Sequence, residues 1–323
     1  MTSAPILLVG AGGMAKEYLR VLRHLEMDVQ VMGRGAHSAS TFFDDTGVRV
    51  GTGPLTSQLD DLSGEVSTAI IAVNAQNLAK TTAELIDRGV KNILVEKPAG
   101  LDLEEISTLL QKVQETGADV RIGYNRRFMT SVMAVEEMAS EDGGISSLNF
   151  DFTEPSRRIA ALDKAERELE TWFFGNSSHV LDLAFFLFGQ VDNLTAYSTG
   201  SGLVPWHPNP NIFAGFGTNS NGSVLSWQSN WHSPGRWGMQ ICTPERKIIL
   251  QPLEQVKVQG HTSFAENIVT LKDQDDIDFK PGLLKQVRAF LFREMDSRLL
   301  RLQEHHLNMH MYSVLLNGGT WQR

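Results

Sequence analysis

The chain has 323 residues, a net charge of −9 and one cysteine, Cys242. Its length suits two domains rather than one. A single thiol excludes an internal disulfide framework and suits a reducing compartment. An acidic chain without a long basic run argues against nucleic-acid or anionic-membrane partners. No apolar stretch reaches the length of a membrane span. The apolar run Ile6–Val9 is too short for a signal segment and reads as a first strand, so a cytoplasmic protein is expected.

The first 122 residues alternate short apolar runs with helical patterns. Candidate strands are Ile6–Val9, Asp28–Met32, Ser67–Val73, Asn92–Val95 and Asp119–Ile122, with helices near 13–25, 77–88 and 102–116 and weaker ones near 37–46 and 55–62. This alternation predicts βαβ units and a parallel sheet covered on both faces. The texture changes after Gly123. A helix near 129–140 leads to a strand Ile145–Thr153, a polar helical stretch 156–171 and a strongly apolar helix 178–188. Residues 191–258 are strand-like, with turn signals at Asn221-Gly222, Pro234-Gly235 and Pro244-Glu245. A largely antiparallel sheet with helices on one face is expected there. The last forty residues return to helix, with Leu283, Leu284, Val287, Phe290, Leu291, Leu299, Leu302 and Leu307 at helical spacing. The expected domains are residues 1–122 and 123–323.

Gly10-Ala11-Gly12-Gly13-Met14-Ala15 fits G-x-G-x-x-A between a strand and a helix. Gly10 allows the tight turn, Gly12 lets the backbone approach a pyrophosphate, and Ala15 lets the helix pack on the strand. Gly13 and Met14 open the helix, whose free N–H groups and dipole favour phosphate. About 20 residues further on, an acid would hold a ribose 2′-OH. The chain there reads Gly33-Arg34-Gly35-Ala36-His37-Ser38, without an acid. A guanidinium pairs with a 2′-phosphate, so Arg34 and Ser38 point to NADP, with NAD as second choice. At the end of the fourth strand stands Glu96-Lys97-Pro98. Burying an ammonium is costly, and a positioned, partly desolvated lysine beside a nicotinamide can exchange protons with a hydroxyl.

With Gly123-Tyr124-Asn125-Arg126-Arg127-Phe128 and His179-Val180-Leu181-Asp182 added to these motifs, the chain resembles the Gfo/Idh/MocA family over nearly its whole length. The resemblance implies an α/β Rossmann domain plus an α+β domain with an open, mainly antiparallel sheet, a homodimer or homotetramer, and no metal. By resemblance Lys97 is the catalytic lysine, Asn74 lines the nicotinamide ribose, Glu96 lies on the cofactor side, and His179 contacts the substrate hydroxyl, with Asp182 one turn later. Many members carry an aspartate four residues before that histidine. This chain has Gly175 there, followed by Asn176-Ser177-Ser178, so the proton relay through that aspartate is missing or replaced, with Asn176 or water as the candidates.

Further candidates come from residue type. Arg127 and Tyr124 are taken to line the substrate, although either Arg126 or Arg127 could face a cleft and Tyr124 could be a packed ring. Trp231-His232-Ser233-Pro234-Gly235-Arg236-Trp237 offers indole faces for a sugar ring and a guanidinium for an anion; Trp231 and Arg236 are its candidates, against a strand-end aromatic cluster or subunit interface. Trp206-His207-Pro208 could cap the same cleft. Arg157-Arg158 and the acidic stretch Asp273–Asp278 read as solvated. His305, His306 and His310 lack an accompanying acid or cysteine set for a metal. The expected function is an NAD(P)-dependent oxidoreductase acting on a hydroxyl or ketone carbon of a sugar or sugar derivative, acidic or nucleotide-linked, without nucleic-acid or membrane partners. The alternatives are a redox-neutral sugar lyase or hydrolase that uses the cofactor transiently, and a non-enzymatic dinucleotide-binding regulator.

Overall fold

The computed structural model describes residues 5–62, 66–292 and 296–323. In chain order, the first elements are β1 (Ile6–Val9), α1 (Gly13–His24), β2 (Val29–Met32), α2 (Ala36–Thr46), α3 (Leu55–Asp60), β3 (Thr68–Ile71), α4 (Leu78–Asp87), β4 (Asn92–Glu96), α5 (Leu103–Thr116) and β5 (Asp119–Gly123). There follow α6 (Thr130–Glu141), β6 (Ser147–Asp151), α7 (Ser156–Ile159), α8 (Glu166–Glu170), α9 (Ser178–Phe188), β7 (Asn193–Thr199), β8 (Ile212–Thr218) and β9 (Val224–Asn230). The last are β10 (Gly238–Cys242), β11 (Arg246–Leu250), β12 (Val256–Gly260), β13 (Asn267–Ile268), α10 (Gln274–Asp278), α11 (Leu283–Leu291), α12 (Leu302–Asn317) and β14 (Gly319–Gln322). Two compact units result: one runs to Tyr124 and includes Asp278–Leu307, the other holds Asn125–Ile277 and Asn308–Arg323.

The first unit is a Rossmann domain. Its sheet is parallel throughout, in the order β2-β1-β3-β4-β5. Strands buried on both faces read as apolar runs, and all four residues of β1 are buried. Beyond β2 a lone parallel bridge joins Met32 to Gly51, with Gly33 N donating to Gly51 O at 2.8 Å and Gly51 N to Val31 O at 3.0 Å. The chain passing Gly51 thus occupies the place of a further strand, and the order reverses at β1. Ligands of such sheets bind beyond the carboxyl ends of the strands at that reversal.

The grouping of residues differs from the expected break at 122. The segment Asp278–Leu307 folds with the first unit because β5 recruits it: Ile122 N donates to Leu300 O at 2.9 Å, and Arg121 bridges Arg301. Helix α11 packs on α1 and buries Leu283, Leu284 and Val287.

The second unit carries a nine-stranded sheet in the order β13-β12-β11-β10-β6-β9-β8-β7-β14. Its one parallel pair among the described residues is β6 with β9; the others are antiparallel. Alternation gives it two unlike faces. Leu148, Phe150, Phe213, Leu225, Trp227 and Ile241 are buried, with α9 against β6. Tyr197, Phe216 and Val224 stand exposed on the other, open face. The polar stretch expected as one helix over 156–171 is interrupted: only α7 and α8 form, and residues 160–165 separate them. The acidic stretch read as solvated also has a structural task, since Asp276 Oδ2 accepts the Thr130 N–H at 2.6 Å at the start of α6.

Trp231 sits in the middle of an aromatic core. Its ring centroid lies 4.8 Å from His207, 5.4 Å from Phe213 and 6.4 Å from Phe173, and its indole N–H donates to Phe152 O at 3.2 Å. Trp231→Ala therefore opens a large cavity and strands a carbonyl. A loss of about 3–5 kcal/mol is expected, read from the urea midpoint of the second unit's unfolding transition.

Candidate active site

The first unit builds a cradle at the sheet's order reversal. Gly10, at φ +137°, turns the chain from β1; a Cβ there would stand 2.3 Å from Ala72 O, so no other residue fits. Cβ atoms at Gly12 and Gly13 would meet nothing within 4 Å, which leaves the backbone open to an approaching group. Helix α1 then starts at Gly12 with no side-chain cap and no acid in its first turn. The contrast with α5 is direct, since Asp102 accepts the Glu105 N–H there at 2.9 Å. The uncapped N–H groups of α1 need an acceptor, and a pyrophosphate supplies one. Lys280 adds charge at the same place, with Nζ 2.9 Å from Met14 Sδ. The residues present fit a dinucleotide.

Arg34, just past β2, donates to Asn77 Oδ1 at 2.9 Å and Thr81 Oγ1 at 3.2 Å, and lies 3.8 Å from Glu84. Asn77 in turn donates to Asn74 Oδ1. A polar chain therefore links the ends of β2 and β3 along the cradle's rim. Ser38 is exposed, and its hydroxyl turns back to Gly35 O at 3.0 Å.

Glu96 closes β4 as a buried carboxylate. Tyr18 of α1 donates to its Oε1 at 2.7 Å. Burial pushes the Glu96 carboxyl up, opposed by the Tyr18 hydrogen bond and by the charges of Lys97 and Lys280. Burial also pushes the Tyr18 hydroxyl well up, reinforced by the neighbouring Glu96. Lys97 follows, half-buried, ahead of a cis bond to Pro98. The turn closes when Ala99 N donates to Glu96 O at 3.0 Å, with Ala99 held at φ +65°. A non-glycine residue in that region costs on the order of 1 kcal/mol, and such strain collects at functional sites. His305 Nε2 donates to Pro98 O at 2.9 Å and fixes the backbone just past the lysine.

In the second unit, His179 is the second residue of α9 and half-buried. Its ring centroid lies 6.2 Å from that of Trp237. The Arg126 guanidinium stands over the Trp237 ring at 5.1 Å and donates to Glu254 at 3.1 Å. Behind them lies Glu154, 1% exposed. Ser177 Oγ donates to its Oε1 at 2.6 Å, and Asn176 Nδ2 reaches its two oxygens at 3.1 and 3.2 Å. Trp172 and Trp237 also face this carboxylate and favour its charged form, although neither indole N–H makes a hydrogen bond of normal geometry. Burial outweighs these donors and pushes Glu154 up.

The residues expected to contact a substrate take the following positions. Arg127 and Asp182 face each other: Nε donates to Oδ2 at 2.7 Å and Nη2 to Oδ1 at 2.6 Å. The pair is buried, and Phe186 stacks on the guanidinium at 4.8 Å. Burial pushes the Asp182 carboxyl up, while the Arg127 charge and fork pull it back. The arginine beside His179's neighbour is Arg126. Trp231 is buried at 1%, and the indole near His179 belongs to Trp237. Tyr124 is a packed ring, 5.6 Å from His305. Arg236 is exposed on the β9–β10 loop. His306 shares a hydrogen bond with Ser107 at 3.0 Å.

Glu154 was missed by sequence reasoning, yet a signal existed. Leu148, Phe150 and Phe152 alternate toward the core, and residue 154 continues that parity. A carboxylate in phase with a buried face needs internal partners.

The reversal of strand order, the Gly10 turn and the uncapped helix define a dinucleotide-binding Rossmann domain. Residues 5–124 match the Gfo/Idh/MocA family model, described as an oxidoreductase family with an NAD-binding Rossmann fold. The match makes residues 5–124 a Rossmann domain of the Gfo/Idh/MocA type. An inositol 2-dehydrogenase of Rhizobium meliloti is 35% identical over 131 residues, a match spanning 39% of this chain and 39% of that protein. An oxidoreductase of Agrobacterium radiobacter, solved with NAD+, L-tartaric acid and magnesium, shares the fold at a TM-score of 0.76 and 15% identity, over 99% of this chain and 98% of its own. UDP-N-acetylglucosamine 3-dehydrogenase of Acidithiobacillus ferrooxidans does so at 0.72 and 16%, over 96% of each chain.

The Arg127–Asp182 pair yields a stability test. Arg127→Met leaves a buried carboxylate without its cation and is expected to cost about 3–5 kcal/mol. Arg127→Met combined with Asp182→Leu removes both charges and recovers most of that loss. Urea unfolding midpoints of the two variants check the sign of the difference.

Proposed function

We propose that the chain is an NAD(P)-dependent dehydrogenase that interconverts a hydroxyl and a ketone on a sugar, sugar acid or other polyol. The observation that carries this reading is the Lys97 turn. A half-buried lysine stands at the carboxyl end of β4, in the same unit as a dinucleotide cradle, on a backbone held by Pro98, Ala99 and His305. The match to an inositol 2-dehydrogenase supports a polyol substrate.

A bound nicotinamide supplies hydride transfer at the carbinol carbon. Gly10, Gly12, Gly13 and the first turn of α1 with Met14 hold its phosphates, Asn74 lines its nicotinamide ribose, and Glu96 stays anchored to Tyr18 beneath the turn. Lys97 takes the hydroxyl proton during oxidation and returns it during reduction. His179 binds a substrate hydroxyl, with Asn176 beside it in sequence. Arg126 takes the place first given to Arg127 as the guanidinium for an acidic substrate group, and the exposed Arg236 serves as an outer contact.

The family's description and the NAD+ complex speak for NAD. The case for NADP as first choice rests on Arg34 and on the missing acid after β2, and we retain it on that ground. The open sheet face with Tyr197, Phe216 and Val224 is proposed as the surface between protomers of a homo-oligomer, to be read from the mass in solution by light scattering.

Titration with NADPH and NADH, followed by a panel of polyols, sugar acids and nucleotide-sugars at the reduced-nicotinamide absorbance, tests the reading. Lys97→Ala is expected to lower kcat by about 10²–10⁴-fold while cofactor binding persists. Unchanged turnover in that variant would sink the role given to Lys97, whereas cofactor binding without turnover of any member of the panel would favour a non-enzymatic regulator. Arg34→Ala is expected to weaken NADPH about tenfold, the loss of a charge-assisted phosphate contact, and to leave NADH unchanged. Equal effects on both cofactors would remove the argument for NADP.

A further inference from the structure

Glu154 is a carboxylate that the proposed proton transfer does not use, and it is among the most deeply buried polar side chains of its unit. Burying a carboxylate is tolerated only when donors meet it. Its donors are not scattered. Asn176 and Ser177 both belong to the turn Phe173–Ser177, which leads directly into α9. That turn is wound as a π-helix, a wide form frequent at functional sites. Two residues after Ser177 comes His179. A clamp on 176 and 177 therefore fixes where the imidazole leaves the helix.

The electrostatics of the pocket converge on the same side chain. The charge of Glu154 is felt by Arg126 as its smallest influence, and Arg126 is itself paired with Glu254. Burial lowers the hold of Arg126 on its proton, with Glu254 and Glu154 opposing. Trp237 faces Glu154, lies under Arg126 and neighbours His179. Gly175, at the other end of the turn, has no side chain, and a Cβ there would meet nothing within 4 Å. The turn itself carries no acid, and the carboxylate that its donors hold is Glu154, beyond the end of β6.

We propose that Glu154 is the positioning carboxylate of the substrate side: it clamps the turn that delivers His179 and supplies the negative field in which that imidazole works. The role takes its meaning from the dehydrogenase reading, but its test needs no substrate. Glu154 acts through Asn176, Ser177 and the field, and is a positioning residue.

The experiment is an NMR pH titration of the His179 ring in the full chain, assigned by comparison with His179→Gln. Glu154→Gln keeps the shape and removes the charge. A nearby carboxylate favours the imidazolium, so the His179 midpoint is expected to fall by about half a unit or more in this variant. Glu154→Asp, which withdraws the charge by one methylene, is expected to move it in the same direction by less. Should Glu154→Gln fail to fold, Glu154→Asp decides alone. A midpoint unchanged in every folded variant overturns the proposal, because a purely structural glutamate alters unfolding without moving the imidazole's titration. Absence of cofactor binding or turnover bears on the dehydrogenase reading and leaves this readout intact.

Discussion

A carboxylate removed from water must be met by donors, and that constraint organises both halves of the candidate chemistry. Glu96 ends β4 and is met by Tyr18 of α1; Glu154 follows β6 and is met by Asn176 and Ser177. In each unit the carboxylate ties a strand end to the helix or turn that carries a functional group. Through Glu96 the tie runs to the helix that begins at the glycine turn, and Lys97 is its covalent neighbour. Through Glu154 it runs to the turn ahead of His179. Geometry at both places is set by buried groups, the kind of support a preorganised site requires.

The same accounting explains where the first unit stays open. Helix α5 satisfies its own N-terminus with Asp102, whereas α1 brings no side-chain acceptor to the end of β1. Gly12 and Gly13 at that start are exposed, so its N–H groups are open to an approaching anion. The lysine turn shows the complementary pattern, with its strain retained: Ala99 stays left-handed because the Glu96 carbonyl and the His305 contact on Pro98 hold the backbone on both sides. One residue conceded to an unfavourable region fixes the direction in which Lys97 leaves the strand.

Much of this was legible in the sequence, for identifiable reasons. The parallel strands are apolar runs because both faces are buried, and the glycine turn is forced by the approach of Ala72 O to Gly10. Helix α9 has the predicted bounds because its apolar residues are nearly continuous. Long-range choices were less visible. Nothing local in 278–307 announces that it returns to pair with β5. Trp231 and Trp237 flank one loop and look equivalent as sugar platforms; strand parity buries the first among Phe173, His207 and Phe213 and leaves the second near His179. Glu154 was legible by parity, but only to a reader who carried the alternation of β6 beyond its last apolar residue.

Arg126 and Arg127 make the general point most sharply, since adjacent identical residues meet opposite fates. They lie in one short 3-10 turn, Asn125–Phe128, whose threefold winding sends successive side chains about a third of a turn apart. Arg127 points inward and finds Asp182, so both members of its fork are spent on one carboxylate. Arg126 takes the flank of Trp237, and its described hydrogen bond uses one terminal nitrogen on a half-exposed glutamate. Its Nε–H is buried without a hydrogen-bond partner among the described residues. A guanidinium so desolvated and only partly bonded retains attraction for an anion that a saturated one has lost. Of the two, Arg126 is therefore the guanidinium with bonding capacity left, and Arg127 is the one spent on holding α9.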